Sequence, residues 1–210
     1  MIQEKIFKIT PSGLDYALKC KRCLWLADKG IKLDAFFPPI FNAFDLIQKK
    51  FLINQSIKSI SKNLPDGRIM TELNSFIGSA TLKDKKERPF IISGKTDVVV
   101  EFNTAPKKYG IIDLKTTNIN PSKIENYKFQ LESYATIFQN PNSKTPKFSN
   151  IEELGLYLFE PKEITNMSNG NCNMKFETLY LKGNRCHDEL INRITEIIDV
   201  CMMKTPPGYN

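Results

Sequence analysis

The middle of the chain alternates between apolar runs and short polar interruptions. Residues 90–102 are rich in β-branched and aromatic side chains, residues 103–108 contain a proline among polar residues, and residues 109–114 are apolar again. This pattern predicts a β-hairpin with its turn near Ala105. A typical turn sequence at residues 166–170 separates two more apolar runs. Those runs predict strands near residues 154–159 and 175–181.

Apolar residues that recur every three or four positions predict helices. The predicted helices cover residues 12–29, 38–53, 124–138 and 188–203. Pro38-Pro39 and Asn120-Pro121-Ser122 supply start signals for two of them. The helix at 38–53 has an apolar stripe of Phe41, Phe44, Ile47 and Phe51, the pattern of a helix that packs one face on a core. The last helix has a similar side made of Leu190, Ile191, Ile194, Ile197, Ile198 and Cys201.

These elements predict an α/β fold with a mixed central sheet flanked by helices. We expect a mostly helical and irregular portion over residues 1–89, and a sheet core with flanking helices over residues 90–210. The 210 residues, 41% of them hydrophobic, suffice for one well-packed domain, and no repeat or boundary divides the chain. A monomer is compatible with this size.

The predicted hairpin brings two acidic residues and one basic residue together. Side chains alternate between the two faces of a strand, so Asp113 and Lys115 point one way while Ile112 and Leu114 point the other. With the turn placed as above, Asp97 lies across from Asp113 on the neighbouring strand. We therefore expect two carboxylates and one ammonium group on a single surface.

Two carboxylates held this close repel each other and lose solvation, a cost that a divalent cation removes. Carboxylate oxygens suit Mg²⁺ or Mn²⁺, which keep several waters and recruit phosphate oxygens. The ammonium of Lys115 can hold an attacking water and offset charge on a phosphate. The alternative is an ordinary solvated hairpin. Against it, Asp113 follows Gly110-Ile111-Ile112 and precedes Leu114, inside an apolar strand.

Gln130 and Tyr134 stand four residues apart on the helix predicted over residues 124–138. They therefore share one helix face, from which an amide and a phenol can reach the hairpin or a nucleic-acid strand. The alternative is that Tyr134 is a core aromatic and Gln130 its exposed neighbour.

The order Gly94-x-x-Asp97, Asp113-x-Lys115 and Gln130-x-x-x-Tyr134 resembles the PD-(D/E)XK nuclease superfamily. Within it, the chain is similar to the RecB-like branch, which includes CRISPR-associated exonucleases and the nuclease domains of recombination helicases. The segment from Ile9 to Asp15 and the following Cys20-Lys21-Arg22-Cys23-Leu24-Trp25-Leu26 are similar to the opening of that branch. The resemblance covers most of the chain.

This resemblance implies a restriction-endonuclease-like sheet and a DNA nuclease that depends on Mg²⁺ or Mn²⁺. It implies that Asp97, Asp113 and the carbonyl of Leu114 bind the metal and that Lys115 is the catalytic lysine. Gln130 and Tyr134 match a motif that supports the site and contacts DNA. Exonuclease activity is the expectation, with endonuclease activity as the alternative.

RecB-like enzymes commonly supply a further metal ligand, a histidine or glutamate, from an N-terminal helix. The only histidine here is His187, near the C-terminus. Asp45, on the helix predicted at 38–53, is the candidate for this acidic role and keeps the oxygen ligation that a hard cation prefers. The alternative is an exposed charge that pairs with Lys49, four residues later.

The chain has five cysteines: Cys20, Cys23, Cys172, Cys186 and Cys201. Many RecB-like relatives hold an iron–sulfur cluster with one early and three late cysteines. The late three are too widely spaced here, and Cys201 lies on the apolar side of its helix, so we do not expect a cluster. Cys20-x-x-Cys23 alone is weak evidence for zinc or a cluster. We expect reduced thiols.

The 30 Lys and Arg residues against 23 Asp and Glu give a net charge of +7, which favours DNA as a partner and salt-dependent binding. Trp25, Phe36 and Phe37 are candidates for base stacking, with burial in the core as the alternative. No segment has the apolar length of a membrane span, and the residues after Met1 lack a signal-peptide core, so we expect a cytoplasmic protein.

Two other hypotheses of function stay open. The chain can be a catalytically silent nuclease-like module that binds DNA or docks onto a helicase, recombination or CRISPR protein, which the missing histidine favours. Alternatively, the charged cluster is only structural.

Overall fold

A computed structural model of the protein describes residues 5–31, 38–53, 55–70 and 76–208, apart from the side chains of residues 16 and 166. Its helices are α1 (Pro11–Ala17), α2 (Lys21–Asp28), α3 (Pro39–Ile53), α4 (Lys123–Asn126), α5 (Lys128–Gln139) and α6 (His187–Met202), with a 3₁₀ helix at Ile57–Ser59. Its strands are β1 (Phe7–Ile9), β2 (Gly67–Ile69), β3 (Phe76–Gly78), β4 (Leu82–Lys83), β5 (Pro89–Lys95), β6 (Val98–Phe102), β7 (Lys108–Thr116), β8 (Ile151–Ser168) and β9 (Asn171–Gly183).

The described strands form two sheets rather than the one central sheet predicted. A five-stranded sheet has the order β2-β6-β7-β8-β9, in which only β7 and β8 pair in parallel. The second sheet is centred on β5, which pairs in parallel with β1 and antiparallel with β3 and β4. Because α4 and α5 connect the parallel strands β7 and β8, the architecture is α/β.

Side chains of β7 alternate between two hydrophobic clusters. Ile111 belongs to the cluster that also contains residues of α5 and α6. Ile112 and Leu114 belong to the other cluster, together with Leu52 of α3 and Ile57 of the 3₁₀ helix. Helices therefore cover both faces of the five-stranded sheet, and the prediction of an α/β fold with a mixed sheet flanked by helices is confirmed at this level, although a second sheet was not predicted.

The hairpin register agrees with the prediction. Val98 pairs with Ile112 and Phe102 with Lys108, so the turn is centred on Ala105. The predicted strand over residues 90–102, however, is divided into β5 and β6.

The division occurs beside Asp97. In the same register Leu114 would face Thr96, but the Leu114 N–H donates to Asp97 Oδ2 at a distance of 2.8 Å. The Asp97 side chain takes the place of a backbone hydrogen-bond partner at this point, and β5 belongs to the second sheet.

Three other boundaries differ from the predictions. The helix predicted over residues 12–29 is two helices, and Cys20 caps the second by accepting a hydrogen bond from the Cys23 N–H at Sγ. The helix predicted over residues 124–138 is interrupted at Tyr127, between α4 and α5. Residues 1–89, predicted to be mostly helical and irregular, also contain β1 to β4.

The C-terminal half follows the predicted order of elements. β8 and β9 form a longer hairpin than predicted, and its turn lies at Asn169 and Gly170, within the expected segment. Both turn residues have positive φ, 51° and 81°, as two-residue hairpin turns of the primed type require. The last helix, α6, buries Leu190, Ile194 and Cys201 as predicted. Within the described residues, no helix has the length and apolar character needed to cross a membrane.

The packing of α3 is the opposite of that predicted. Its stripe was expected to face the core, yet Phe41, Ile47 and Phe51 are 44%, 63% and 61% exposed. The buried positions of α3 are Gln48, Lys49 and Leu52. Polar side chains take the inner face because they bind groups near β7: Gln48, for example, donates to Thr116 Oγ1 at 2.9 Å. Phe44 lies at the side and contacts Phe176 of β9, with ring centroids 5.9 Å apart.

Candidate metal-binding site

Asp97 occupies the junction between β5 and β6, where the two sheets separate. Its Oδ2 accepts the Leu114 N–H, and its Oδ1 lies 2.7 Å from Nζ of Lys49 on α3. Both carboxylate oxygens therefore have positive or N–H partners, and the Asp97 side chain is held in place against β7.

Asp113 lies in the centre of β7 and is 2% exposed. Its Oδ1 accepts a hydrogen bond of 2.8 Å from Gln130 Nε2. Lys115 Nζ lies 2.7 Å from Asp113 Oδ2, so this buried oxygen is ion-paired with the Lys115 ammonium. Burial raises the pKa of Asp113 to about 7; the Asp97 charge adds to the rise, and the Lys115 ammonium opposes it.

Lys115 points to the same side of β7 as Asp113, as predicted. Its ammonium also lies 4.9 Å from the centroid of the Tyr127 ring. Burial alone lowers the pKa of Lys115, but the Asp113 carboxylate outweighs it and raises the pKa to about 12. The lysine is therefore positively charged at neutral pH.

Gln130 and Tyr134 lie on one face of α5, as their spacing predicts, and both are buried. Gln130 fixes Asp113, and the Tyr134 hydroxyl donates to the carbonyl oxygen of Lys95 at 2.7 Å. The alternative that Gln130 is exposed is wrong. Burial raises the pKa of Tyr134, so this phenol is a neutral hydrogen-bond donor. The two residues join α5 to β7 and β5, respectively.

Asp45 reaches the site through Lys49 rather than by meeting the other carboxylates. The Lys49 ammonium lies 2.8 Å from Asp45 Oδ1 and 2.7 Å from Asp97 Oδ1. Local pairing of Asp45 with Lys49 was the alternative expected from the sequence. Among the described residues, no three His, Cys, Asp or Glu side chains converge as a metal-ligand group. The role of Asp45 as a metal ligand stays a prediction.

Lys49 was not predicted as a site residue. Burial alone lowers its pKa, yet the charges of Asp97 and Asp45 raise it above its usual value. The only sequence signal was its position four residues after Asp45, which is common on solvated helices and does not reveal the contact with Asp97.

Asp15 of α1 is another buried carboxyl, and the sequence did not predict that it belongs to a site. It is 9% exposed, and its Oδ2 has no hydrogen-bond partner among the described residues. Burial raises the pKa of Asp15 to about 7, while the charges of Arg193 and Lys115 oppose the rise. Asp15 therefore lies within the electrostatic reach of the site lysine.

The cluster lines a cavity of about 460 Å³ between α1, α3, α5 and the strands. Gly94 permits close approach at its wall, because a Cβ there would lie 2.8 Å from Cδ of Pro11. The donor set fits a hard divalent cation, because two carboxylates face one cavity and Asp113 Oδ2 is held there only by its ion pair with Lys115. Leu114 is also among the residues that line the cavity.

Two of the five cysteines differ from the expectation of reduced thiols. Cys20 and Cys23 form a disulfide. Cys172 is exposed, Cys186 is partly buried and Cys201 is buried, all as free thiols. The Cys20–Cys23 pair lies beside α1 and lines a different cavity, together with Leu14 and Leu24.

Of the aromatic residues proposed for base stacking, Trp25 lies in the described part of the chain, and it is not among the described residues that line the cavity. Trp25 is partly buried, and its indole N–H donates to the carbonyl oxygen of Met203 at 2.8 Å. Phe36 and Phe37 lie outside the described residues.

Fold and site together define an α/β protein with a carboxylate–lysine cluster where its two sheets diverge. No protein-family model matches the chain, and a search of curated proteins finds no match. The crystal structure of SSO0001 is similar, with a TM-score of 0.55 and 12% sequence identity, over 97% of this chain and 80% of that chain. At this identity the likeness shows a related fold alone.

Proposed function

We propose that this chain is a metal-dependent nuclease that hydrolyses phosphodiester bonds in DNA. In this proposal it is a RecB-like member of the PD-(D/E)XK superfamily, with the restriction-endonuclease-like form of the α/β fold. The observation that carries the proposal is the meeting of Asp97, Asp113 and Lys115 in one cavity, with Gln130 behind them. A buried carboxylate beside another is costly to a fold, and such clusters are characteristic of functional sites.

We assign the metal ligands as Asp97, Asp113 and the carbonyl oxygen of Leu114. A Mg²⁺ or Mn²⁺ ion bound there supplies a Lewis acid for the phosphate and a water of lowered pKa. Gln130 occupies Oδ1 of Asp113, so Oδ2, which is paired with the Lys115 ammonium, is the oxygen assigned to the metal. The Lys115 ammonium stands next to that oxygen, where it orients the attacking water and offsets the charge that develops on the phosphate.

Asp45 is proposed as a further ligand of the same ion. Its carboxylate is bound to Lys49 in the structure, and Lys49 is also bound to Asp97. Direct ligation by Asp45 therefore requires the Lys49 ammonium to leave its position between the two carboxylates. Once displaced, Lys49 is a second cation available to a DNA phosphate.

The test is a cleavage series on end-labelled linear and closed circular DNA with Mg²⁺, Mn²⁺ or EDTA. We expect cleavage by the wild-type protein with either metal, none in EDTA, and none by Lys115→Ala or Asp113→Ala. Lys108→Ala is the matched control, because Lys108 lies at the far end of the same strand and pairs with Glu152. Cleavage retained in purified Lys115→Ala would refute the assigned site. Loss of linear DNA alone would identify an end-dependent enzyme.

A second candidate function is DNA binding without cleavage. The contact of Lys49 with both Asp45 and Asp97 favours it, since an ammonium already neutralises carboxylates that would otherwise attract a divalent cation. Calorimetry with Mn²⁺ decides between the two. A measurable Mn²⁺ site that is lost in Asp113→Ala supports the nuclease, whereas no heat of binding together with undiminished DNA affinity in EDTA supports the binding module.

A further inference from the structure

Phe76 and Lys95 form a cross-strand pair at the edge of the cavity. Phe76 begins β3 and pairs with Lys95, the last residue of β5, in the antiparallel register. Residues directly opposite in an antiparallel pair present their side chains to the same face of the sheet. Both residues line the cavity that contains Asp97, Asp113 and Lys115.

Phe76 presents an aromatic ring to solvent at this edge. It is 72% exposed, although most large apolar side chains of β5 and β6 are buried. An exposed phenyl ring next to a polar cavity is unfavourable in water. The flat face of an unpaired nucleic-acid base is a suitable partner, because every base presents a π surface to an aromatic side chain.

Lys95 differs from Lys115, the other lysine that lines the cavity, and from Lys49 on α3. Lys49 and Lys115 are each bound to aspartates. Lys95 is exposed, and in the part of the chain that the structure describes no carboxylate lies within ion-pair distance of its ammonium. Its backbone is nevertheless held, since the Tyr134 hydroxyl donates to its carbonyl oxygen. A positioned backbone with an unengaged ammonium suits a phosphate.

We propose that Phe76 and Lys95 form a single-nucleotide subsite, in which the Phe76 ring stacks on a base and the Lys95 ammonium binds the adjoining phosphate. The subsite recognises an unpaired base beside the bond to be cleaved, because both faces of a base inside a duplex are already stacked on its neighbours. This proposal rests on the proposed nuclease function, since it assigns a nucleic-acid strand to the same cavity. It adds the residues that favour an unpaired base over a base paired in a duplex.

The first experiment measures binding by fluorescence anisotropy in the Lys115→Ala background, so that no strand is cut. The probes are a short single strand, the same strand with abasic positions, and the matching duplex. Phe76→Ala weakens binding of the intact single strand about 5- to 100-fold, the range expected for one stacked base, and leaves binding of the abasic strand unchanged. Phe76→Tyr restores affinity, whereas Phe76→Leu does not.

Phe51→Ala is the matched control, because Phe51 is 61% exposed on α3 but is not among the residues that line the cavity. It leaves binding of all three probes unchanged. Lys95→Ala weakens binding of the intact and abasic strands alike, and reduces the salt dependence of single-strand binding by a slope of about 0.7, the value for one phosphate contact. A thermal melt confirms that each variant is folded.

The subsite is refuted if Phe76→Ala binds the intact strand as tightly as the Lys115→Ala parent does. It is also refuted if that parent does not distinguish intact from abasic strands. Failure of the nuclease proposal gives a different result. The Phe76 variants then show the differences in binding described above, yet the wild-type protein cleaves no substrate with Mg²⁺ or Mn²⁺. Cleavage that depends on Lys115 but not on Phe76 refutes the subsite and retains the nuclease.

Discussion

The Lys49 ammonium lies 2.7 Å from Oδ1 of Asp97, so a lysine of α3 is ion-paired with the first of the two aspartates in the cluster. The two side chains are only 10% and 13% exposed, and water screens their attraction little. Lys49 thus supplies to Asp97 part of the positive charge that a divalent cation would supply. Lys49 therefore stabilises the metal-free protein, and in the proposed site it would compete with a cation for Asp97.

Replacing Lys49 with methionine is expected to tighten metal binding and weaken the metal-free fold. Asp97 then loses its ammonium partner and attracts a cation more strongly, so Mn²⁺ affinity measured by calorimetry should rise about tenfold, which corresponds to about 1.4 kcal/mol. Without metal, Asp97 keeps only the Leu114 N–H as a partner, and the loss of the ammonium should lower the free energy of unfolding by about 1–3 kcal/mol. Lys50→Met, on the exposed side of the same helix, should change neither quantity. Unchanged Mn²⁺ affinity in Lys49→Met would contradict this account.

Gln130→Ala is expected to impair the site without removing a charged group. It leaves Asp113 Oδ1 without its buried hydrogen-bond donor, which should lower the free energy of unfolding by about 1–3 kcal/mol. If the chain is a nuclease, the less fixed carboxylate should also reduce metal affinity or cleavage about 10- to 100-fold, as loss of a hydrogen bond to a metal ligand typically does.

The control for this prediction is Gln139→Ala at the end of the same helix, whose amide donates to the carbonyl oxygen of Ser149 and accepts from Arg185, neither of which lines the cavity. Single-turnover cleavage with Mn²⁺ and thermal denaturation measure the two effects separately. Equal behaviour of the two glutamine variants would mean that Gln130 does not support the site.

Asp84 is expected to contribute stability that disappears in acid. Burial alone raises its pKa, but Arg88, at 2.6 Å from Oδ2, and two backbone N–H groups hold the pKa below its usual value. A carboxyl whose pKa is lowered on folding stabilises the protein above its unfolded pKa of about 3.9, and the contribution is lost as pH falls through the lower folded pKa. Arg88 keeps its pair with Asp199, so Asp84→Asn should cost about 1–3 kcal/mol at pH 7 and progressively less below about pH 4.

Denaturant unfolding of the wild-type protein and Asp84→Asn across this pH range measures the difference. Glu87→Gln is the control, since Glu87 forms an exposed pair with Lys83 and should have a small effect throughout. A difference between wild type and Asp84→Asn that stays constant into acid would show that the carboxylate charge is not the source of the stability.

Asp15 should have the opposite dependence on pH. Burial raises its pKa to about 7, so the folded protein keeps a proton that the unfolded chain releases near pH 4. Stability from this group therefore falls as pH rises from about 4 to 7 and stays reduced above that. Asp15→Asn should match the wild type at pH 4 and exceed its free energy of unfolding by roughly 1–4 kcal/mol at pH 8. Chemical denaturation at the two pH values checks this, and a variant less stable at pH 8 would refute it.

The geometry of Asp97, Asp113 and Lys115 was predictable from the sequence because it depends on local order. A strand has a period of two, so Asp113 and Lys115 must share a face. The short polar segment around Ala105 set the hairpin register that places Asp97 across from Asp113. The helical spacing of Gln130 and Tyr134 is local in the same sense.

Only the tertiary structure decided which surfaces meet these residues. Lys49 and Asp97 are far apart in sequence, and so are Phe76 and Lys95; their contacts depend on how α3 and β3 pack. The apolar stripe of α3 pointed to burial, but hydrogen bonds and ion pairs to the hairpin favour its polar face inward. Periodicity determines which side chains share a face of an element, whereas the packing of distant elements determines what that face contacts.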